Sequence, residues 1–317
     1  MRKSDEIMMN SEIQKCLQIR YVVLHFEIQM LEDCILPQNK ASALRGGMGQ
    51  MLMQNNCIRN MECSDCDFKA DCLMRRIMYS PFDIRPRFVN DGESAGYIIE
   101  CEDYRTQVER GEIIEFRMIL FGKTIAYFSQ ILQAFYQLGM TGLGSDQGRY
   151  SIIAVTNTNR ESLLEGSNVY KDKYIIRTLD EYVNYRLKKR RGNRMLFHTP
   201  VTIKYNGAIL TEFNAEAIVR TLTRRLLMLD CFEGIETEQL RFDTIPVIVG
   251  QRTRDIDVKR YTTRQKRKIH MEGIRGYVDF DTIDDDLYAV MLAGEIMHIG
   301  KHTSFGFGRY TMVDREY

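Results

Sequence analysis

His298-Ile299-Gly300-Lys301-His302-Thr303-Ser304-Phe305-Gly306-Phe307-Gly308-Arg309-Tyr310 is a glycine-rich turn that leaves an apolar helical stretch and enters a β-prone run at 311–313. An earlier stretch has the same plan: Gly139-Met140-Thr141-Gly142-Leu143-Gly144-Ser145-Asp146-Gln147-Gly148-Arg149-Tyr150 also follows a helical segment, ends on Gly-Arg-Tyr and runs into a β-prone segment at 151–155. Two such turns at corresponding places predict two copies of one fold. Glycine allows close backbone approach and positive φ. With Lys and Arg alongside, a turn of this kind suits a phosphate chain better than a small apolar ligand.

Working outward from the second turn, 201–205 reads as a short strand closed by Asn206-Gly207, and Asn214 as the cap of a helix with Ile218, Leu222, Leu226 and Leu229 on one face. A short strand is expected at 247–249. A longer one is expected at 269–280, with a change of phase between Met271 and Ile274 that a bulge near Gly273 would reconcile. Asp284, Asp285 and Asp286 then start a helix that leads into the turn. The order β-α-β-β-α-β is the ferredoxin-like, or RRM-like, unit. The N-terminal half fits the same order, with strands at 21–30, 97–101, 113–121 and 149–155 and helices at 42–55 and 125–138. The expected class is therefore α+β: two tandem ferredoxin-like domains meeting in a cleft. The first, 1–195, carries a cysteine-rich insertion at 56–90 and a connecting region at 156–195. The second, 196–317, carries the glycine-rich loop at 299–309.

The 317 residues are enough for two domains with separate cores. The chain has no apolar run of about 20 residues and no basic-apolar-small leader, so a soluble, cytoplasmic protein without a membrane role is expected. The net charge of +1 hides segregation. Residues 252–275 hold nine basic against three acidic groups, and 186–194 hold six basic and no acidic ones. Basic clusters in a neutral chain point to a polyanion track through Arg252, Arg254, Lys266, Arg267 and Lys268, the competing reading being a solvated charged face.

Within the insertion, Cys57, Cys63, Cys66 and Cys72 follow C-x5-C-x2-C-x5-C. Four thiols in so short a loop suit one structural zinc ion, preferred to an iron–sulfur cluster because nothing else in the sequence points to redox work. The remaining cysteines are scattered. Of the five histidines, His25 sits in an apolar strand, His198 at the domain junction, and His270 on an exposed strand face. His298 closes a helix, and His302 lies inside the glycine-rich turn beside Lys301.

The stretch from Gly273-Ile274-Arg275-Gly276 through His298-Ile299-Gly300-Lys301 to Phe305-Gly306-Phe307-Gly308-Arg309-Tyr310 resembles the CRISPR repeat-processing endoribonucleases of the RAMP superfamily. Leu44-Arg45-Gly46-Gly47-Met48-Gly49, followed by the cysteines and Ser80-Pro81-Phe82, is similar to one branch of them. The resemblance implies an enzyme that binds CRISPR repeat RNA and cuts precursor crRNA without a catalytic metal: a ribose 2′-OH attacks the adjacent phosphate, leaving a 2′,3′-cyclic phosphate and a 5′-OH. Arg45, Gly306, Gly308 and Arg309 join the basic track as expected RNA contacts, and other CRISPR effector subunits become possible partners. Such chemistry needs a proton carrier and a cation, here His302 and Lys301, with His298 and His25 as further candidates. One departure stands out. Members of the family often carry a catalytic histidine on the first helix, whereas 42–55 offers Arg45 and Gln50 but no histidine. A non-catalytic crRNA-binding subunit of an effector complex is the alternative reading.

Overall fold

The computed structural model describes residues 9–63, 65–82, 86–89, 94–166, 168–262 and 267–315. A short helix, α1 (Ser11–Cys16), leads into β1 (Arg20–Met30), followed by α2 (Lys40–Asn56), α3 (Leu73–Met78), β2 (Tyr97–Glu100), β3 (Ile113–Phe121), α4 (Phe128–Thr141) and β4 (Tyr150–Thr156). After α5 (Leu179–Leu187) come β5 (Arg194–Phe197), α6 (Ala215–Glu233), β6 (Ile248–Thr262), β7 (Arg267–Phe280), α7 (Asp285–Met297) and β8 (Tyr310–Val313). Each half builds an antiparallel sheet, β2-β3-β1-β4 in the first and β6-β7-β5-β8 in the second. In both, the second strand stands at the edge and the first lies between the third and fourth.

Local chemistry explains the helices. Asn39 accepts a hydrogen bond from the Ser42 amide at the start of α2, Asn214 from Ala217 at the start of α6, and Asp284 from Asp286 and Leu287 at the start of α7. Ile218, Leu222, Leu226 and Leu229 are all buried, as their spacing requires. On β1, alternate residues Val22, Leu24, Phe26, Ile28 and Met30 meet α2 and α4 in one core. Tyr21 and Val23 point the other way, joining Ile98, Ile119 and Phe121 in a core that continues into the C-terminal half. The two halves are thus fused through apolar packing at one end of the N-terminal sheet, while its other end stays open.

Three strand expectations need correction. The first strand of the C-terminal sheet is β5, not 201–205. Its buried Met195 and Phe197 alternate with Arg194 and Leu196, and Arg194 escapes a lone charge by pairing with Asp279 across the sheet (2.8 Å). Val201 and Thr202 instead bridge to Ile274 and Lys301, bracing the glycine-rich turn. The expected strand at 247–249 extends to Thr262 as a long hairpin arm against β7. No bulge lies near Gly273, the register shift falling between Ile248 and Gly250. The change of phase arises because β7 buries both faces: Ile274, Val278 and Phe280 join the helical core, whereas Met271 packs with Val258, Phe305 and Phe307.

Candidate nucleic-acid interface

The glycine-rich turn is a wedge between the two halves. Thr303–Phe305 makes one 3-10 turn, and residues 303–308 are buried. Gly306 adopts φ 80°, and a side chain there would put its Cβ 2.7 Å from the Ile99 carbonyl oxygen on β2. Gly308, at φ 74°, lies against the backbone of Ile299 inside the turn. Both glycines therefore serve backbone-to-backbone contact, Gly306 across the seam between halves. Arg45 of α2 reaches over the same seam. Its Nε donates to Ser304 Oγ (3.2 Å), its NH2 group donates to Ser94 Oγ (3.1 Å), and its guanidinium lies 4.3 Å from the Phe305 ring centre.

His298 and Glu100 form the polar centre of that seam. His298 is fully buried; its Nδ1 faces the Phe307 carbonyl (3.0 Å) and its Nε2 faces Glu100 Oε1 (2.7 Å). Both partners can accept hydrogen bonds, so each ring nitrogen is already engaged inside the seam. Glu100 also accepts from Arg117 Nε (2.6 Å), and Arg309 Nε stands 3.9 Å away. Burial by itself would push the Glu100 carboxyl up, but His298, Arg117 and Arg309 together hold it down at about 2.

Beside the wedge opens a cleft of 620 Å³, walled by residues 37–41 and 100–104 on one side and by β6, β7 and the turn on the other. Arg254, Lys259, Arg275 and Arg309 line it. Arg254 and Arg275 are directly paired across β6 and β7, an unfavourable neighbourhood for two cations unless an anion sits between them. Arg252 is exposed one step along the same face, opposite Tyr277, over whose ring Arg194 stacks at 4.0 Å. A larger hollow of 700 Å³ lies by α1, where Glu12, Glu236 and Glu238 outnumber Lys15 and Arg241, whereas the four cations of the cleft outnumber Glu100, Glu102 and Asp257.

The sequence-predicted groups divide accordingly. Arg252, Arg254 and Arg309 come together at or beside the cleft. Arg45, Gly306, Gly308 and His298 hold the wedge. Lys266 and the side chains of Arg267 and Lys268 lie outside the described residues. Lys301 is exposed, and His302, with φ 65°, sets its partly exposed ring edge-on to Phe305 and Phe307. His25 stands in a neighbouring cavity on β1. The four cysteines are half-buried, and burial, then the nearness of Cys72, Cys57 and Cys66, pushes the Cys63 thiol up. Among the described residues, no three His, Cys, Asp or Glu side chains stand at metal-binding spacing.

Sequence reasoning missed Glu100, Arg117 and Arg275 as site residues and set His198 aside. His198 donates to or accepts from Thr311 Oγ1 (2.9 Å) through Nε2, and burial, then Arg275, lowers its imidazole below the usual value. Arg275 was visible within Gly273-Ile274-Arg275-Gly276. Glu100 and Arg117 carried no local signal, because their pairing exists only across β2 and β3.

Residues 195–310 match the family described as CRISPR-associated endoribonuclease Cas6, and residues 18–181 match the AF_1859_N family, described as an N-terminal domain. The chain is a Cas6-type protein. Its family is one of endoribonucleases for CRISPR repeat processing. Among solved structures, a partial Cas6-RT-Cas1–Cas2 complex is similar with TM-score 0.55 and 10% identity over 92% of this chain. The chain spans only 46% of that protein's length. A Cas6 product complex is similar over 94% of this chain and 100% of its own (TM-score 0.51, 13% identity). A Thermus thermophilus Cas6 is similar over 92% and 98% (TM-score 0.50, 11% identity). At these identities the likeness is one of fold. No curated protein matches the Cas6-type chain. Among its described residues, no helix is long and apolar enough to cross a membrane.

Proposed function

We propose that this chain binds CRISPR repeat RNA in the cleft between two ferredoxin-like RAMP domains and cuts it by metal-independent transesterification; the expected division into 1–195 and 196–317 moves to just before Arg194, because β5 (Arg194–Phe197) belongs whole to the C-terminal sheet. The observation that carries the reading is the set of cations Arg254, Arg275 and Arg309 lining one cleft beside the glycine-rich wedge. The second–third–first–fourth strand order supports the domain assignment. In the reaction, a ribose 2′-OH bonds to the adjacent phosphorus, the bond to the 5′-oxygen breaks, and that oxygen takes up a proton. His302 carries the proton and Lys301 faces the developing phosphorane charge, both being accessible on the turn, while His298 positions the turn. Zinc is assigned to Cys57, Cys63, Cys66 and Cys72. The chemistry of the donor set, four thiols within 16 residues of sequence, fits it, although no three of them stand at metal-binding spacing among the described residues, and the ion would stabilise a loop poor in apolar residues. Cytoplasmic action on RNA, alone or with other effector subunits, completes the reading.

Two observations favour a binding subunit without cleavage: α2 has no histidine, and both His298 nitrogens are engaged. A single experiment separates the two. Repeat RNA is incubated with excess protein in chelator. One cut ending in a cyclic phosphate, slowed roughly 10²–10⁴-fold by His302→Ala with affinity retained, supports the enzyme. A retarded but intact RNA supports the binder, and an uncut, unbound RNA refutes both.

A further inference from the structure

Next to the cleft, at the open end of the N-terminal sheet, a second cavity of 280 Å³ is lined by His25, Glu27, Glu115, Arg117, Arg160 and Arg309, among others. Glu27 and Glu115 stand directly opposite each other on β1 and β3, where like charges destabilise a sheet. Two of the three arginines lining the cavity are taken up by other carboxylates. Arg117, in the adjacent pair, donates to Glu100, and Arg309 is joined to Glu102. Among the described residues, no ion pair involves either Glu27 or Glu115. His25, opposite Arg117, has its imidazole lowered by burial and then by Arg117 and Arg160, so it is neutral at pH 7 and offers one N–H. Arg160, in a left-handed turn at φ 64°, supplies a cation at the same cavity.

We infer that this cavity takes one unstacked guanine of single-stranded RNA. The inference rests on the RNA-binding reading above. Single-stranded bases are read on their Watson–Crick edges. Guanine is the base whose edge sets two neighbouring donors, N1–H and N2–H₂, beside an acceptor, O6. The donors suit the paired carboxylates, the acceptor suits the His25 N–H, and Arg160 suits a flanking phosphate. Cytosine, adenine and uracil would each turn a ring or carbonyl acceptor toward a carboxylate. A cavity at the small end of the ligand range suits one base better than a stack.

Heptamers UUUXUUU, with X guanine, inosine, adenine, cytosine or uracil, test this by fluorescence anisotropy on the wild type, Glu27→Gln and Glu115→Gln, with repeat RNA measured in parallel. The expected result is tighter binding of the guanine heptamer than of the inosine one by roughly 5- to 150-fold, and a ratio near unity in either variant. Removing one of two opposed charges leaves thermal stability unchanged or raised, so misfolding does not mimic that loss. Equal affinity for all five heptamers, or an undiminished preference in both variants, overturns the inference while repeat binding leaves the functional reading standing. If repeat RNA also fails to bind, the RNA reading itself falls.

Discussion

Replacing Glu100 by Gln tests the polar centre of the seam most directly. The carboxylate is 4% exposed and faces His298, Arg117 and Arg309. Its pKa is lowered from 4.5 to about 2. That drop is worth about 3 kcal/mol of folding free energy at pH 7, in line with roughly 3–5 kcal/mol for breaking a buried pair from one side. An amide cannot accept from all three neighbours and would point its NH₂ at a donor. The sign follows from the depressed value: the contribution is present above the unfolded carboxyl value near 4.5 and is lost as pH falls through about 2. Urea unfolding of wild type and variant at pH 7, 5, 4 and 3 should therefore give a gap of about 3 kcal/mol at the first two values, closing toward the last. A gap under about 1 kcal/mol at pH 7, or one that stays constant to pH 3, would refute the reasoning. Because the same residue holds the wedge, the variant should also lose repeat binding under conditions where it remains folded.

Asp230 titrates in the opposite sense. Burial pushes its carboxyl up to about 7, so its contribution to stability is present below the unfolded value and lost as pH rises through about 7; Asp230→Asn should be more stable than wild type at pH 8 by up to about 4 kcal/mol, and equal denaturation midpoints there would contradict this. Arg254→Ala and Arg275→Ala should each weaken repeat-RNA binding and reduce the slope of log affinity against log salt by about one, whereas an unchanged slope in the double variant makes the pair a solvated face. Elemental analysis of protein purified without added metal should find about one zinc per chain, lost in the Cys63→Ser, Cys66→Ser double variant; metal-free wild type would dismiss the zinc assignment.

The parts of the fold that the sequence made legible are those whose signals are local. The apolar stripe of α6, the caps at Asn214 and Asp284, and the alternation of β1 each follow from spacing within a few residues. β5 was hidden because Arg194 looks like the end of a basic run. Its charge is tolerated in a strand only through Asp279, 85 residues away. Met271 misled for a related reason: a phase change within one strand implies a bulge only when a single face is buried, and here the hairpin arm finds a second apolar partner in Phe305 and Phe307.

The same distinction governs the site. Glycines flanked by Lys301 and Arg309 were read as a cradle for phosphate, yet closeness to another backbone is what Gly306 actually uses, and that backbone is β2 of the same chain. The two uses are chemically continuous. A turn buried in the seam fixes the direction in which its few accessible groups, Lys301, His302 and Arg309, can point, so the wedge positions what the cleft presents. Glu100, which lines both the cleft and the neighbouring cavity, matters for this reason. Through His298 it ties β2 to the end of α7, and through Arg117 it leaves Glu27 and Glu115 without the cation that a sheet face would otherwise give them. One buried carboxylate thereby sets both the geometry of the turn and the charge of the cavity next to it.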